Sequence, residues 1–221
     1  MTQEVMIPKM KRLDKRHRKI KIPFINLVLI FCSILFLVAS TFVNLNIKHY
    51  IIPMDIFTNK ALTSDDFIYS LWIVPQIPAV MMVCSVLGKR MAVTTTILYI
   101  LAGLLLVPIF GLGGGITYVS EFGFGYILAY IPAVVLVGNI LHNKYSFPNM
   151  IKASVLGVLL IHVIGVLYML LIAMCKHADG SFVGGWIASQ SGLKIIYDII
   201  ISFLAVMIGK YFHEFLNFIL D

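Results

Sequence analysis

The stretch GLLLVPIFGLGGGITYVSEFGFGYILAYIPAVVLVG, residues 103–138, is the most informative part of this chain. Two apolar runs flank a loop that contains glycines at positions 111, 113, 114, 115, 123 and 125. Consecutive glycines adopt positive φ easily and let other groups approach the bare backbone. Near a bilayer, irregular backbone is tolerated where it is buried in protein or lines a cavity. The sequence therefore predicts that this loop, with Gly113, Gly114 and Gly115 at its centre, forms one wall of a binding pocket.

The composition is that of an integral membrane protein. Of the 221 residues, 60% are hydrophobic and 12% are charged, whereas a soluble domain is about 45–50% apolar and about 25% charged. A spanning helix needs about 20 mostly apolar residues. Six segments qualify, at residues 24–43, 67–87, 91–110, 123–141, 151–174 and 193–212. The predicted fold is all-α, with six transmembrane helices in one substrate-binding domain, residues 24–221.

Sequence motifs argue against catalysis by this chain. The connectors between the predicted spans leave no room for a soluble domain, and the phosphate-binding pattern GxxxxGK[ST] does not occur. Any ATP hydrolysis must therefore take place in another polypeptide. No Ser-His-Asp pattern, HExxH or helical carboxylate pair is present, and the three cysteines lack metal-ligand spacing. We expect neither an enzyme nor a bound cofactor or metal.

The formal net charge of +7 is unevenly distributed. With six spans, 13 of the 17 Lys and Arg residues fall on the side of the amino terminus. The positive-inside rule then predicts that both termini are cytoplasmic in a multi-pass cell-membrane protein. Residues 1–23 form a basic arm, which anionic lipid headgroups of the bilayer explain better than nucleic acid does. The first apolar run is too long for a typical signal peptide, so a retained span is favoured over cleavage near Ala39.

Asp198 is the most informative single residue, because it lies inside the predicted last span. An acid at the centre of a spanning helix costs roughly 2.5–3.5 kcal/mol, so such groups face a protein interior or a cavity. A binding role is favoured, and neutralisation by Lys194, four residues earlier on the same face, is the alternative. Lys194 is equally a counter-ion or a cation that receives a ligand carboxylate. For His162, in mid-span, we expect a helix–helix hydrogen bond rather than a proton relay.

Four further residues are candidates for the pocket. Glu121 lies in the outer loop between Tyr118 and Tyr126, where it either faces the pocket or is simply solvated. The two tyrosines belong either to the pocket or to an interfacial aromatic belt. Tyr126 and Tyr130 share a helix face, so one of them should point inward. Gln76, in the sequence VPQIP, bonds either a ligand or the backbone that the prolines interrupt.

The segments LGKR at 87–90, PIF at 108–110, the glycine cluster and FGYILAYIPA at 124–133 resemble the BioY family. These proteins are the biotin-specific membrane subunits, or S components, of energy-coupling-factor (ECF) transporters. The resemblance covers residues 67–140 well and the last span loosely. Within the family, the sequence is most similar in pattern to a divergent, cyanobacterial-like branch.

The resemblance implies six helices, cytoplasmic termini and a pocket near the outer face. It also implies two kinds of partner: a membrane-coupling T component and two cytoplasmic ATPase subunits. Asp198 matches the family's acid in the last span, but the family's lysine three residues later is Ile201 here, which leaves Lys194 as the alternative cation. The first span lacks the AxxxA pattern of such subunits.

The predicted function is uptake of biotin or a similar small vitamin, driven by ATP that separate subunits hydrolyse. Biotin needs partners for its ureido ring, apolar walls for its thioether ring and a cation or donor for its carboxylate. Two alternatives remain. The same fold could bind another small acid, such as pantothenate or a nucleobase-like compound, or the protein could be a membrane scaffold that transports nothing.

Overall fold

The computed structural model describes residues 24–52, 57, 63–143 and 145–220, and the predicted basic arm, residues 1–23, lies outside them. The elements in these residues are α1 (Phe24–Phe42), β1 (Leu45–Tyr50), β2 (Ile68–Ile73), α2 (Gln76–Leu105), α3 (Phe124–Leu128), α4 (Tyr130–Asn143), α5 (Phe147–Cys175), α6 (Gly180–Ser191) and α7 (Lys194–Leu220). Short 3₁₀ turns occupy Ser64–Phe67 and Ile116–Ser120.

Within the part of the chain that the structure describes, five helical segments are long and apolar enough to cross a membrane. They are Phe24–Phe42, Gln76–Leu105, Phe124–His142, Phe147–Cys175 and Gly180–Leu216. The prediction of a membrane protein built on α-helices is therefore confirmed. At the centre, α2 packs against α1, α4 and α7, while α5 packs against α3, α4 and α7.

Helix α2 consists of two antiparallel halves. Gly88, with φ of +73° and ψ of 169°, is non-helical. Gln76 Nε2 lies 2.5 Å from the Tyr99 hydroxyl, although a straight helix would place these residues about 35 Å apart. The chain therefore reverses at Gly88, inside the short connector that the sequence predicts between its second and third spans.

The prediction of an all-α fold is wrong for the segment before α2. The predicted second span, residues 67–87, begins with strand β2, which pairs antiparallel with β1 from Leu45↔Ile73 to Tyr50↔Ile68. Its side chains alternate, with Leu71 and Ile73 buried and Trp72 exposed. The aromatic and β-branched run IYSLWI fits this two-residue period, and a short apolar run does not reveal its helix or strand state by hydropathy alone.

Two further boundaries differ from the prediction. The third span, predicted as residues 91–110, ends as a helix at Leu105, because the chain folds back and Phe110 and Gly113 exchange backbone hydrogen bonds of 2.8 and 2.9 Å. The predicted outer loop after α5 contains helix α6. Its N-cap is Asp179, whose carboxylate accepts from the Ser181 backbone N–H at 3.2 Å, as capping residues do.

The break at Gly88 frees backbone carbonyls that need partners. The Tyr145 hydroxyl donates to the Ser85 carbonyl at 2.7 Å, and His213 Nδ1 lies 2.8 Å from the Val86 carbonyl. The two rings stack with centroids 5.5 Å apart. Burial, with a smaller contribution from Cys84, raises the pKa of Tyr145 to about 12, so the hydroxyl remains a donor at ordinary pH. This pair closes the end of the bundle opposite the cavity described below.

Replacing Tyr145 by phenylalanine should lower the free energy of unfolding by about 1 kcal/mol, because a partly buried carbonyl loses its donor. Ligand binding should not change, since Tyr145 lies at the far end of the bundle. Thermal unfolding in detergent measures the first quantity and calorimetric titration the second. A variant as stable as the original protein would contradict the capping role of Tyr145.

Candidate functional site

A cavity of about 550 Å³ lies at one end of the helices, opposite the turn at Gly88. The end of α1, the start of α2, the loop before α3, α3 itself, the end of α6 and the start of α7 all contribute to its lining. Four of the residues predicted from sequence line it: Gln76, Tyr118, Tyr126 and Lys194. Its volume is in the range of sites that bind small molecules, roughly 300–1,000 Å³.

Gln76 is held at the start of α2 by two side chains. Its Nε2 donates to Thr41 Oγ1 at 2.9 Å and to the Tyr99 hydroxyl at 2.5 Å. Both amide hydrogens are used in this way, so Gln76 has its carbonyl oxygen left to accept from a ligand. The sequence suggested a backbone or a ligand as its partner, and the structure adds a third possibility, an interhelical side-chain network.

Lys194 is the one charged side chain in the cavity lining, as far as the described residues show. It begins α7 and its Nζ lies 3.4 Å from Gln190 Oε1 on α6. A partly buried ammonium group at a cavity wall is suited to receive a carboxylate.

Asp198 lies outside the cavity lining and is fully buried one helical turn beyond Lys194. Its Oδ2 is 3.1 Å from His162 Nε2 on α5, so a histidine is its hydrogen-bond partner where the sequence offered only Lys194. The helix–helix hydrogen bond predicted for His162 is confirmed. Its other ring nitrogen, Nδ1, lies 2.9 Å from Ser191 Oγ at the end of α6.

The three consecutive glycines fold onto the end of α2 beside the cavity. Gly115 N–H donates to the Gly103 carbonyl at 2.9 Å. A Cβ at Gly114 would come within 2.7 Å of that carbonyl oxygen and of the Pro108 Cα, so only glycine allows this close approach. The part of this loop that lines the cavity is instead the neighbouring Gly111, Leu112 and Gly123.

Glu121 is half-buried at the end of the 3₁₀ turn and outside the cavity lining. Its backbone N–H donates to the Tyr118 carbonyl at 2.9 Å, and its carbonyl accepts from Phe124 at 3.2 Å. Burial raises the pKa of Tyr118. A backbone hydrogen bond from Leu112 lowers this pKa and the charge of Glu121 raises it, and the net effect is an increase. Tyr118 is therefore a neutral, hydrogen-bonding phenol at the cavity wall.

Sequence reasoning missed several lining residues. Thr41 and Asn44 line the cavity, as do Trp186 and Gln190 of α6. Of the pair Tyr126 and Tyr130, for which the sequence predicted one inward-facing ring, both line the cavity. Trp186 and Gln190 are one helical turn apart, and the Trp186 ring lies 5.9 Å from the Tyr126 ring. The spacing of these two residues was the available signal, because residues four apart share a helix face. It went unused because the segment was interpreted as a loop.

These features define a polytopic helical membrane protein with a ligand-sized, aromatic and polar cavity at one end of its helices. The BioY family model matches residues 11–218, and the chain belongs to the BioY family. The resemblance inferred from residues 67–140 is thus confirmed.

Two known proteins are similar to this chain. A probable biotin transporter BioY from Lysinibacillus sphaericus is 32% identical over 96 residues, which are 42% of this chain and 49% of that protein. The chain therefore matches about half the length of this curated relative. A crystal structure of the S-component for biotin from an ECF-type ABC transporter matches with a TM-score of 0.60 and 17% identity, over 86% of this chain and 90% of that one. The second likeness is one of fold.

Proposed function

We propose that this protein is the substrate-binding membrane subunit of a vitamin uptake transporter and that biotin is its substrate. The cavity is the observation that carries the proposal. Lys194 provides a cation for the valerate carboxylate, and Tyr118, Tyr126 and Trp186 provide aromatic walls for the thioether ring. The Gln76 carbonyl oxygen provides an acceptor, which a ureido N–H needs when it leaves water.

The proposed topology has six membrane crossings with both termini in the cytoplasm and the cavity near the outer face. The reversal at Gly88 supports two crossings within Gln76–Leu105. The distribution of Lys and Arg supports the orientation, because 13 of 17 then lie on the cytoplasmic side.

The proposed partners are a membrane-coupling T component and two cytoplasmic ATPase subunits. Family membership and the absence of a phosphate-binding motif from the sequence support this division of labour. In the proposed cycle this subunit binds biotin from outside, and its reorientation in the membrane during ATP hydrolysis by the partners releases the vitamin inside.

Purified protein should bind biotin with a Kd at or below about 10 nM, which corresponds to roughly −11 kcal/mol. Calorimetric titration in detergent or nanodiscs measures this value. Mass spectrometry of protein purified without added vitamin identifies any ligand that is retained. Absence of heat with biotin, together with retention of another small acid, would contradict the substrate and favour a different vitamin. Absence of every ligand would favour the scaffold alternative.

A further inference from the structure

A chain of hydrogen bonds runs from the cavity wall into the buried interior. The Tyr126 hydroxyl lies 2.5 Å from Ser191 Oγ, Ser191 Oγ lies 2.9 Å from His162 Nδ1, and His162 Nε2 lies 3.1 Å from Asp198 Oδ2. The four side chains come from α3, α6, α5 and α7. Tyr126 lines the cavity, whereas His162 is 3% exposed and Asp198 is 0% exposed.

The direction of these hydrogen bonds follows from the chemistry at the buried end. Asp198 Oδ2 and His162 Nε2 share one hydrogen bond, and the assignment with Nε2–H as the donor gives the buried carboxylate oxygen the partner that a buried acceptor needs. In a neutral imidazole the other nitrogen, Nδ1, is then an acceptor, and the Ser191 hydroxyl must donate to it. The Ser191 oxygen in turn accepts from the Tyr126 hydroxyl. The Tyr126 hydroxyl thus donates its proton to Ser191 and is not a donor for a ligand in the cavity.

Asp198 depends on His162 for a hydrogen bond. Its other oxygen, Oδ1, is buried with no hydrogen-bond partner among the residues that the structure describes, which leaves His162 as its donor there. Lys194 lies one helical turn away and supplies a positive charge on the same helix. Three groups face His162: the Asp198 carboxylate on α7, the Ser191 hydroxyl on α6 and the Tyr126 ring on α3.

Packing holds the Tyr126 ring in the orientation that this chain requires. The His162 ring meets it edge to face at 5.6 Å, and the Trp186 ring lies 5.9 Å away. Behind it, a Cβ at Gly165 would come within 2.6 Å of the ring carbons, so the ring occupies the space that this glycine leaves. The hydroxyl is therefore positioned as well as directed.

We propose that His162, oriented by Asp198, acts through Ser191 as a positioning residue that presents the Tyr126 hydroxyl to the cavity as a hydrogen-bond acceptor. The cavity then favours a ligand with an N–H or O–H donor beside Tyr126 and disfavours one with a carbonyl there. The proposal deepens the proposed function, on which it rests for the ligand. In biotin the matching donors are the ureido N–H groups.

The reverse arrangement makes the opposite prediction. A protonated His162 would donate from Nδ1 to Ser191, Ser191 would donate to Tyr126, and the Tyr126 proton would be free for a ligand acceptor. The placement of protons on the His162 ring nitrogens therefore decides the hydrogen-bonding character of the cavity wall.

The first test needs no ligand. Nitrogen-15 NMR of protein labelled in its histidine rings distinguishes the tautomers, and the His162 signals are assigned by their loss in His162→Gln. We expect a proton on His162 Nε2 and none on Nδ1. A proton on Nδ1, alone or together with Nε2, would overturn the proposal even if the protein binds biotin tightly.

The second test is a double-mutant cycle on biotin affinity. Ser191→Ala should weaken binding about tenfold, because the Tyr126 proton loses its acceptor and turns toward the ligand's donor. In a Tyr126→Phe background the same change should alter affinity less than about twofold, since the chain then has nothing to direct. Ser189→Ala is the matched control, because that exposed hydroxyl donates only to the Trp186 carbonyl of its own helix, at 2.8 Å.

The outcomes separate the two proposals. An equal loss of biotin affinity on Ser191→Ala in both backgrounds would make Ser191 a purely structural residue and contradict the positioning role. Absence of biotin binding in the unmodified protein, with the Nε2 tautomer present, would contradict the substrate while supporting the direction of the chain.

Discussion

Replacing Lys194 by methionine is expected to weaken biotin binding about 10- to 100-fold, the effect of losing a hydrogen bond to a charged group. Methionine keeps the length and much of the volume of the side chain, but it leaves a ligand carboxylate without a cation in the lining that the structure describes. Isothermal titration with biotin measures the change.

Two controls make this expectation specific to the carboxylate. A neutral biotin amide should bind the original protein and Lys194→Met with similar affinity, because it carries no charge to be paired. Lys176→Met serves as the matched surface variant, since Lys176 is exposed at the end of α5 with its Nζ 4.9 Å from the centre of the Phe122 ring. Equal losses for biotin and its amide would show that Lys194 acts through packing rather than charge.

Replacing Asp198 by leucine is expected to lower the free energy of unfolding by about 3 kcal/mol. The carboxylate is fully buried and accepts from His162, so its removal leaves an imidazole N–H without a partner and Lys194 without the nearby negative charge. Thermal or denaturant unfolding in detergent, followed by a size-based assay of folded protein, measures the loss.

Asp198→Asn is the matched variant for this experiment. Its amide oxygen can still accept from His162 Nε2, so only the charge is lost and the destabilisation should be clearly smaller. The double variant with both Asp198 and His162 replaced by leucine should recover part of the stability, because no buried N–H is then left without a partner. If the single leucine variant were as stable as the original protein, the pair would not contribute to the folded state.

The membrane class and the family were predictable from sequence because both depend on local patterns. Long apolar runs determine insertion residue by residue, and the glycine–tyrosine–proline segment is contiguous. For the same reason Gln76, Tyr118, Tyr126 and Lys194 could be chosen as candidates, since each is a polar or aromatic side chain near the end of an apolar run.

The hairpin and helix α6 could not be recognised by hydropathy. The apolar run at 68–73 fits a strand or the start of a span equally well, and pairing with β1, some twenty residues earlier, decides between them. The glycines of α6 lower its helix propensity, and its capping by Asp179 and docking near Tyr126 and Lys194 supply what propensity does not.

Entry into a membrane as apolar helices and membership of the BioY family could be inferred from residue order alone, because both depend on neighbouring residues. The folded chain was needed to show that Asp198 bonds His162, 36 positions away, and that Gly113–Gly115 lie beside the end of α2 and outside the cavity lining. Such pairings depend on helix rotation and on reversals such as that at Gly88. A small change in either would bring different side chains together from the same sequence.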